Sequence, residues 1–268
     1  IEIYERNLKV YKIKKDTSGI FGSYLSIGDV YSSWRKHDIA NKFFKQALVL
    51  VDEFRIDQRG GMKELVSMSL GTNYLATGET DKAFKYLSSV VQSSTENGNN
   101  SLLASGLKHL AGVYRSKKQH EKELELQEQS LKIYTEIGAK DGIARGLFEV
   151  GKVHFLMKHY AKAREYLNRS IKIAQSPELW RDVNEHIAAL YIREGKYEEA
   201  GKYLTEAVKV VENLRKTASG TIRRDFLETK ITLYKFLAFS HLISHNLPES
   251  FLALERSHSR LLLDKLLN

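Results

Sequence analysis

The chain has 268 residues, of which 42% are hydrophobic and 28% charged, a balance that is ordinary for a globular protein. It contains no cysteine, which excludes disulfides, thiolate metal sites and a cysteine nucleophile within these residues. The formal net charge of +9 is spread along the sequence, whereas nucleic-acid-binding proteins concentrate theirs. Without a signal peptide or a long apolar run, we expect a soluble, cytoplasmic protein with no membrane partner and no direct nucleic-acid binding.

The first predicted element is a helix over residues 1–15, which resembles a segment further along the same chain. Without a gap, Tyr4 aligns with Gln127 and Tyr11 aligns with Tyr134. We therefore interpret residues 1–17 as the second helix of a preceding repeat. Because the chain begins inside a repeat, we also expect it to be an excerpt of a longer protein.

A repeating helical hairpin follows, and residues 146–174 show it most clearly. Gly151 is a small residue on the first helix, and His154 follows three residues later. On the second helix Ala163, Leu167 and Ser170 share one face, because spacings of three and four fall on one side of a helix. One hairpin cannot bury its own apolar face, so this pattern predicts neighbouring copies.

Six copies are found at fixed offsets from the small residue. The small residues of the first helices are Gly28, Gly71, Ala111, Gly151, Ala188 and Ala238. The aromatic or histidine positions are Tyr31, Tyr74, Tyr114, His154, Tyr191 and His241. The third copy departs most from the pattern, because Glu123 and Gln127 stand where small and bulky apolar residues are expected.

This order of small, aromatic, small, bulky and small residues resembles the tetratricopeptide repeat (TPR), and the resemblance covers nearly the whole chain. It implies an all-α, right-handed superhelical solenoid of about six helical hairpins. Repeats one to five would occupy residues 18–212. An extended sixth repeat would occupy residues 213–268.

The sixth repeat carries a second resemblance, in the strings RDFLE at 224–228 and ERSHSRLLLD at 255–264. These look like the junction between a TPR array and a following CHAT domain, a caspase- or separase-like protease. The resemblance implies a regulatory array that binds a partner protein and couples it to the CHAT domain, as in some CRISPR-associated RNA-guided complexes. The catalytic residues of that family lie in the following domain, so we expect no enzyme activity and no cofactor here. A leucine-rich surface is predicted to face the missing domain: Leu261, Leu262, Leu263, Leu266 and Leu267.

In TPR arrays the first helix of each repeat lines an inner groove. The residues that face the groove stand three positions before the small residue, one position after it and four positions after it. The resemblance therefore implies a groove with exposed aromatic rings beside long cations, suited to a peptide or protein with acidic and apolar side chains. Its predicted residues are Lys108, Arg115, Arg145, Phe148, Lys152 and Phe155. The same positions in repeats five and six are Glu185, Ala189, Ile192, Lys235, Phe239 and Leu242. The alternative is that the cations are solvated and the phenylalanines contact neighbouring helices.

Other functions have weaker support in the sequence. His241 and His245 are four residues apart, which on one helix face would suit a metal, but no third ligand accompanies them and no metal site is predicted. A stand-alone TPR adaptor or signalling regulator, like kinesin light chain or bacterial quorum-response regulators, is the main alternative. RNA binding of the pentatricopeptide type would require a regular repeat spacing, and an enzyme within these residues would require a catalytic motif.

Overall fold

The computed structural model describes the backbone of residues 1–54, 61–217 and 220–255, and the side chains of 1–54, 61–213 and 232–255. Every regular element within these ranges is an α-helix. The helices are α1 Glu2–Lys14, α2 Thr17–Ser33, α3 His37–Phe54, α4 Met62–Ala76, α5 Thr80–Glu96, α6 Asn100–Ser116, α7 His120–Glu136, α8 Lys140–Leu156, α9 Tyr160–Ile173, α10 Pro177–Arg193, α11 Tyr197–Thr217 and α12 Gly220–Ile243. A further helix, α13, is described over residues 247–255.

The helices pair into consecutive hairpins, α2 with α3, α4 with α5, α6 with α7, α8 with α9, and α10 with α11. A sixth hairpin joins α12 to α13, where the Ser250 hydroxyl donates a hydrogen bond of 2.9 Å to the Ala238 carbonyl. The predicted all-α solenoid of stacked hairpins is thus confirmed, with α1 packed on α2. The chain divides into two compact units, residues 1–139 and 140–268. The origin of α1 in a preceding repeat and the CHAT junction at 213–268 stay predictions.

The small residues of the first helices allow close packing within each hairpin. A methyl group built on Gly71 would lie 2.6 Å from Leu87 Cγ, and one on Gly151 would lie 3.1 Å from Leu167 Cγ. Leu87 and Leu167 are both fully buried. Since any larger residue would push the two helices apart, the small and bulky anchors act as complementary halves of one contact.

The two residues by which the third copy departs from the repeat pattern are polar and buried. Glu123 and Gln127 on α7 have 0% and 1% exposure, and the apolar residues at the same positions of copies one, two, four and five are buried as well. The Glu123 carboxylate accepts a hydrogen bond from the Arg115 guanidinium, and His120 Nδ1 lies 3.0 Å from its second oxygen. Gln127 donates to the Lys108 carbonyl oxygen at 3.4 Å. Polar groups that leave water need partners inside the protein; the Glu123 carboxylate and the Gln127 amide nitrogen find them within their own hairpin, whereas Gln127 Oε1 is buried without one among the described residues.

Each hairpin turn passes through one residue with a positive φ angle. In the α6–α7 turn this residue is Lys118, with φ 56°. Its N–H donates to the Arg115 carbonyl, and the following N–H of Gln119 donates to the Tyr114 carbonyl, both at 2.9 Å. These bonds satisfy carbonyl groups at the helix end and reverse the chain within a few residues.

Among the residues that the structure describes, none of the helices combines the length and the hydrophobicity that a membrane span requires.

Candidate functional site

The first helices of three successive hairpins border a cavity of about 490 Å³ in the unit 140–268. Phe155 of α8 forms one wall, and Thr232, Leu233 and Phe236 of α12 form the opposite wall. The residues that α10 and α11 contribute are Glu185, His186, Ala189, Ile192, Arg193 and Leu204. This volume lies within the range of about 300–1,000 Å³ that ligand pockets occupy, and most of the lining is apolar.

The repeat pattern explains part of this lining. Phe155 lies four residues after Gly151, and Glu185, Ala189 and Ile192 occupy the predicted inner positions of repeat five. On α12 the lining residues lie about one to two turns nearer the start of the helix than the predicted inner position Phe239. The predicted trio of repeat six, Lys235, Phe239 and Leu242, does not line the cavity.

Arg193 at the end of α10 is the most notable residue that the sequence prediction missed. Its guanidinium carbon lies 5.6 Å from the centre of the Phe155 ring and 5.3 Å from the centre of the Tyr160 ring. The side chain reaches solvent, and it makes no ion pair with any residue that the structure describes. Stacking on two rings holds the cation at the cavity wall while its N–H groups stay available. Its only sequence signal is its place five residues after Ala188.

Other charges close to the cavity are already paired. Lys152 Nζ lies 3.1 Å from a Glu149 carboxylate oxygen and 4.9 Å from the centre of the Phe148 ring. Arg181, with 7% exposure, contacts the Asp182 carboxylate at 2.5 Å and Glu185 at 3.4 Å. Since these pairs neutralise one another locally, an acidic ligand would gain little from Lys152 or Arg181.

One predicted groove residue is placed differently from the expectation of exposed aromatic rings. Phe148 has only 3% exposure and lies edge-on against the His186 imidazole, with ring centres 5.1 Å apart. The prediction of an exposed ring at this position was wrong, because α10 covers this face of α8. Phe155 lies about two turns later on α8, is half-buried, and does border the cavity.

The remaining predicted groove residues have separate environments. Arg145 is half-buried and forms no ion pair within the described ranges. Lys108 and Arg115 belong to the unit 1–139. There the Arg115 guanidinium donates a hydrogen bond to the Glu123 carboxylate of its own hairpin. Of the six residues, Phe155 alone lines this cavity. The predicted leucine surface at 261–267 lies outside the described residues.

The histidine pair considered as a metal site does not share a helix face. His241 is in the last turn of α12, which ends at Ile243, whereas His245 is in the following turn with φ 58°. Within the described ranges no group of three or more potential ligands is close enough to hold a metal ion.

Comparison with known proteins agrees with the hairpin geometry. Models of the tetratricopeptide repeat match residues 64–136 and 102–176, and a second model of this repeat matches residues 182–211. The chain is a TPR array. No curated protein matches it.

Solved structures similar to this TPR array show the same fold. BtubC (BKLC) from P. vanneervenii has a TM-score of 0.64 at 15% identity, over 82% of this chain and 92% of BtubC. The apo quorum sensor NprR from B. thuringiensis has a TM-score of 0.64 at 14% identity, over 99% of this chain and 74% of NprR. Apo RapI has a TM-score of 0.61 at 15% identity, over 97% of both chains. At these identities the likeness concerns the fold alone.

Proposed function

We propose that this TPR array is a signalling regulator or adaptor that binds an extended segment of a partner protein or peptide. The cavity between α8, α10 and α12 accepts an apolar side chain of that segment, and Arg193 binds a neighbouring carboxylate. The observation that carries the proposal is the position of Arg193, stacked on Phe155 at the cavity wall.

Charge and shape both favour this occupant. Without a ligand, the apolar walls of this open cavity are exposed to water. An apolar side chain that fills the cavity therefore gains the free energy of burial, about 1.5–3 kcal/mol for a large side chain. The guanidinium of Arg193 offers parallel N–H donors that match the two oxygens of a carboxylate. Arg145, also without an ion pair among the described residues, adds positive charge on α8 and favours an acidic partner.

The structural relatives are consistent with a signalling role without assigning one. NprR is a quorum sensor built on this fold. The 14% identity transfers no binding residue, so the role proposed for this array rests on its own cavity.

A more specific proposal is that the array regulates a CHAT-type protease, as part of a CRISPR-associated RNA-guided complex. It rests on the strings at 224–228 and 255–264. The structure describes only the helical backbone of the first string and only Glu255 of the second. Reading the natural gene beyond the codon for Asn268 tests this proposal, because the proposal requires a CHAT domain to be encoded there.

Binding can be tested with a defined set of peptides. The probes are fluorescein-labelled heptapeptides with Ala, Leu, Phe or Tyr at the centre and either Asp or Lys on both sides, measured by fluorescence anisotropy. We expect peptides with a large central side chain and Asp flanks to bind best. Filling the cavity with Ala189→Trp and reversing the charge with Arg193→Glu should each weaken binding at least about tenfold.

Arg169→Glu is the matched control. Arg169 also stacks on a tyrosine, 5.4 Å from the Tyr166 ring centre, but it lies on α9 away from the cavity. This variant should bind the peptides as the wild type does. If no peptide binds, or if both cavity variants bind normally, the proposed function is wrong.

A further inference from the structure

The orientation of the His186 imidazole is defined by its own helix and by two rings of α8. Its Nδ1 lies 2.8 Å from the Asp182 carbonyl oxygen one turn earlier. A carbonyl oxygen can only accept, so Nδ1 carries the proton and donates it. The Phe148 and Phe155 rings meet the imidazole edge-on, with centres 5.1 and 6.4 Å away, and limit its rotation.

This arrangement leaves Nε2 as a hydrogen-bond acceptor at the cavity. In a neutral imidazole with a proton on Nδ1, the other nitrogen presents a lone pair. His186 lines the cavity, and Nε2 has no hydrogen-bond partner among the described residues. The apolar side chains that form most of the lining, including Ile192 and Leu233, supply no donor.

Burial keeps this imidazole neutral. It lowers the pKa of His186, and the nearby Lys152 ammonium lowers it further. The hydrogen bond to the Asp182 backbone and the carboxylates of Asp182 and Glu149 act in the opposite direction and are the weaker influence. The lone pair on Nε2 is therefore present at neutral pH.

We infer that the cavity selects an aromatic side chain that carries a hydrogen-bond donor, and that His186 is the residue that makes this selection. The inference rests on the proposed function and specifies the ligand: a tyrosine hydroxyl or a tryptophan N–H donates to Nε2 while the ring fills the apolar space. A phenylalanine would fill the same space but leave Nε2 desolvated without a partner. A site with a buried acceptor discriminates against a ligand that lacks the donor.

The test compares two peptides that differ by one oxygen atom. The probes are the Asp-flanked heptapeptides with Tyr or Phe at the centre, bound to the wild-type chain and to His186→Phe, which retains an aromatic ring but has no acceptor. We expect the wild type to bind the Tyr peptide roughly three- to tenfold more tightly than the Phe peptide. In His186→Phe the ratio should fall to about one or below.

The outcomes separate this inference from the proposed function. Binding of both peptides with equal affinity to the wild type, or an unchanged ratio in His186→Phe, overturns the selection and leaves the binding site in place. Failure of both peptides to bind the wild type overturns the site and the selection together. A long-range ¹H–¹⁵N NMR spectrum of the free protein provides an independent check, because a proton on Nε2 at neutral pH would also overturn the inference.

Discussion

The Arg115 guanidinium donates to the carboxylate of Glu123, a side chain with no exposure to solvent, although Arg115 itself is partly exposed. The pair joins the first helix of the third hairpin to its second helix. In four other hairpins the position of Glu123 is held by an alanine, which is fully buried in each of them. The third hairpin therefore replaces a small apolar contact with a buried ionic one.

This pair predicts an asymmetry between two single substitutions. Arg115→Ala leaves the Glu123 carboxylate buried with His120 as its one remaining partner among the described residues, so we expect a loss of about 1–3 kcal/mol in the free energy of unfolding. Glu123→Ala restores the residue type of the other hairpins and leaves Arg115 able to reach water, so its cost should be smaller. Urea unfolding followed by circular dichroism measures both, and an equal or larger loss in Glu123→Ala would contradict this account.

Two glycines of α2 offer a matched test of the small-residue contact. A methyl group at Gly28 would overlap the Phe44 ring, whereas one at Gly22 would have no atom within 4 Å. Gly28→Ala should therefore destabilise the protein by about 1–3 kcal/mol. Gly22→Ala should stabilise it by about 0.5–1 kcal/mol, because alanine is the better helix former.

Urea unfolding measures both effects. A shifted midpoint, with an unchanged slope of the unfolding free energy against urea concentration, indicates a change in stability. If Gly28→Ala and Gly22→Ala change the stability in the same direction, the close approach of Phe44 to Gly28 is not what restricts that position.

His154 should make stability depend on pH. It has 3% exposure and stacks on Tyr166, with ring centres 5.4 Å apart. Burial lowers its pKa, the Lys162 and His159 charges add to this, and Glu165 acts against it. Above the unfolded-state pKa of about 6.5 the imidazole is neutral in both states and the stability is fully present. As the pH falls below that value the unfolded state binds the proton first, so stability is lost.

The free energy of unfolding should thus decrease as the pH is lowered from 7.5 to 5.5. The decrease should be smaller in His154→Tyr, since tyrosine stands at the equivalent position of four other copies. His245→Gln, an exposed position in the turn after α12, is the control and should follow the wild type. An identical pH dependence in His154→Tyr and the wild type would show that His154 does not contribute to it.

Two cations of α8, Arg145 and Lys152, should contribute unequally to peptide association. Lys152 is paired with Glu149 at 3.1 Å, whereas Arg145 has no ion pair with a described residue. With the Asp-flanked Tyr peptide as the probe, Arg145→Gln should lower the association rate constant more than Lys152→Gln does. Because the effect is electrostatic, the difference should shrink as salt is raised.

Stopped-flow anisotropy at two salt concentrations measures these rate constants. Equal effects of Arg145→Gln and Lys152→Gln, or an effect that salt does not alter, would show that the ion pair to Glu149 does not decide which cation attracts the peptide.

The sequence alone determined the hairpins of this protein. Helical packing requires small residues where two axes approach and bulky ones opposite them, so Gly71 with Leu87 and Gly151 with Leu167 recur at a fixed spacing that can be read without a structure. The resemblance to TPR arrays implied that Phe155 and Ile192 face an inner groove, and both line the cavity.

Only the tertiary structure decided which of these side chains form a site. The cavity joins α8, α10 and α12, whose residues are distant in the sequence, and its contents depend on how each helix is rotated against the next. That rotation buries Phe148 under His186 and brings Arg193 onto Phe155. The repeat pattern specifies the face of each helix but not the neighbour that covers it, because that contact arises between repeats and leaves no fixed spacing in the chain.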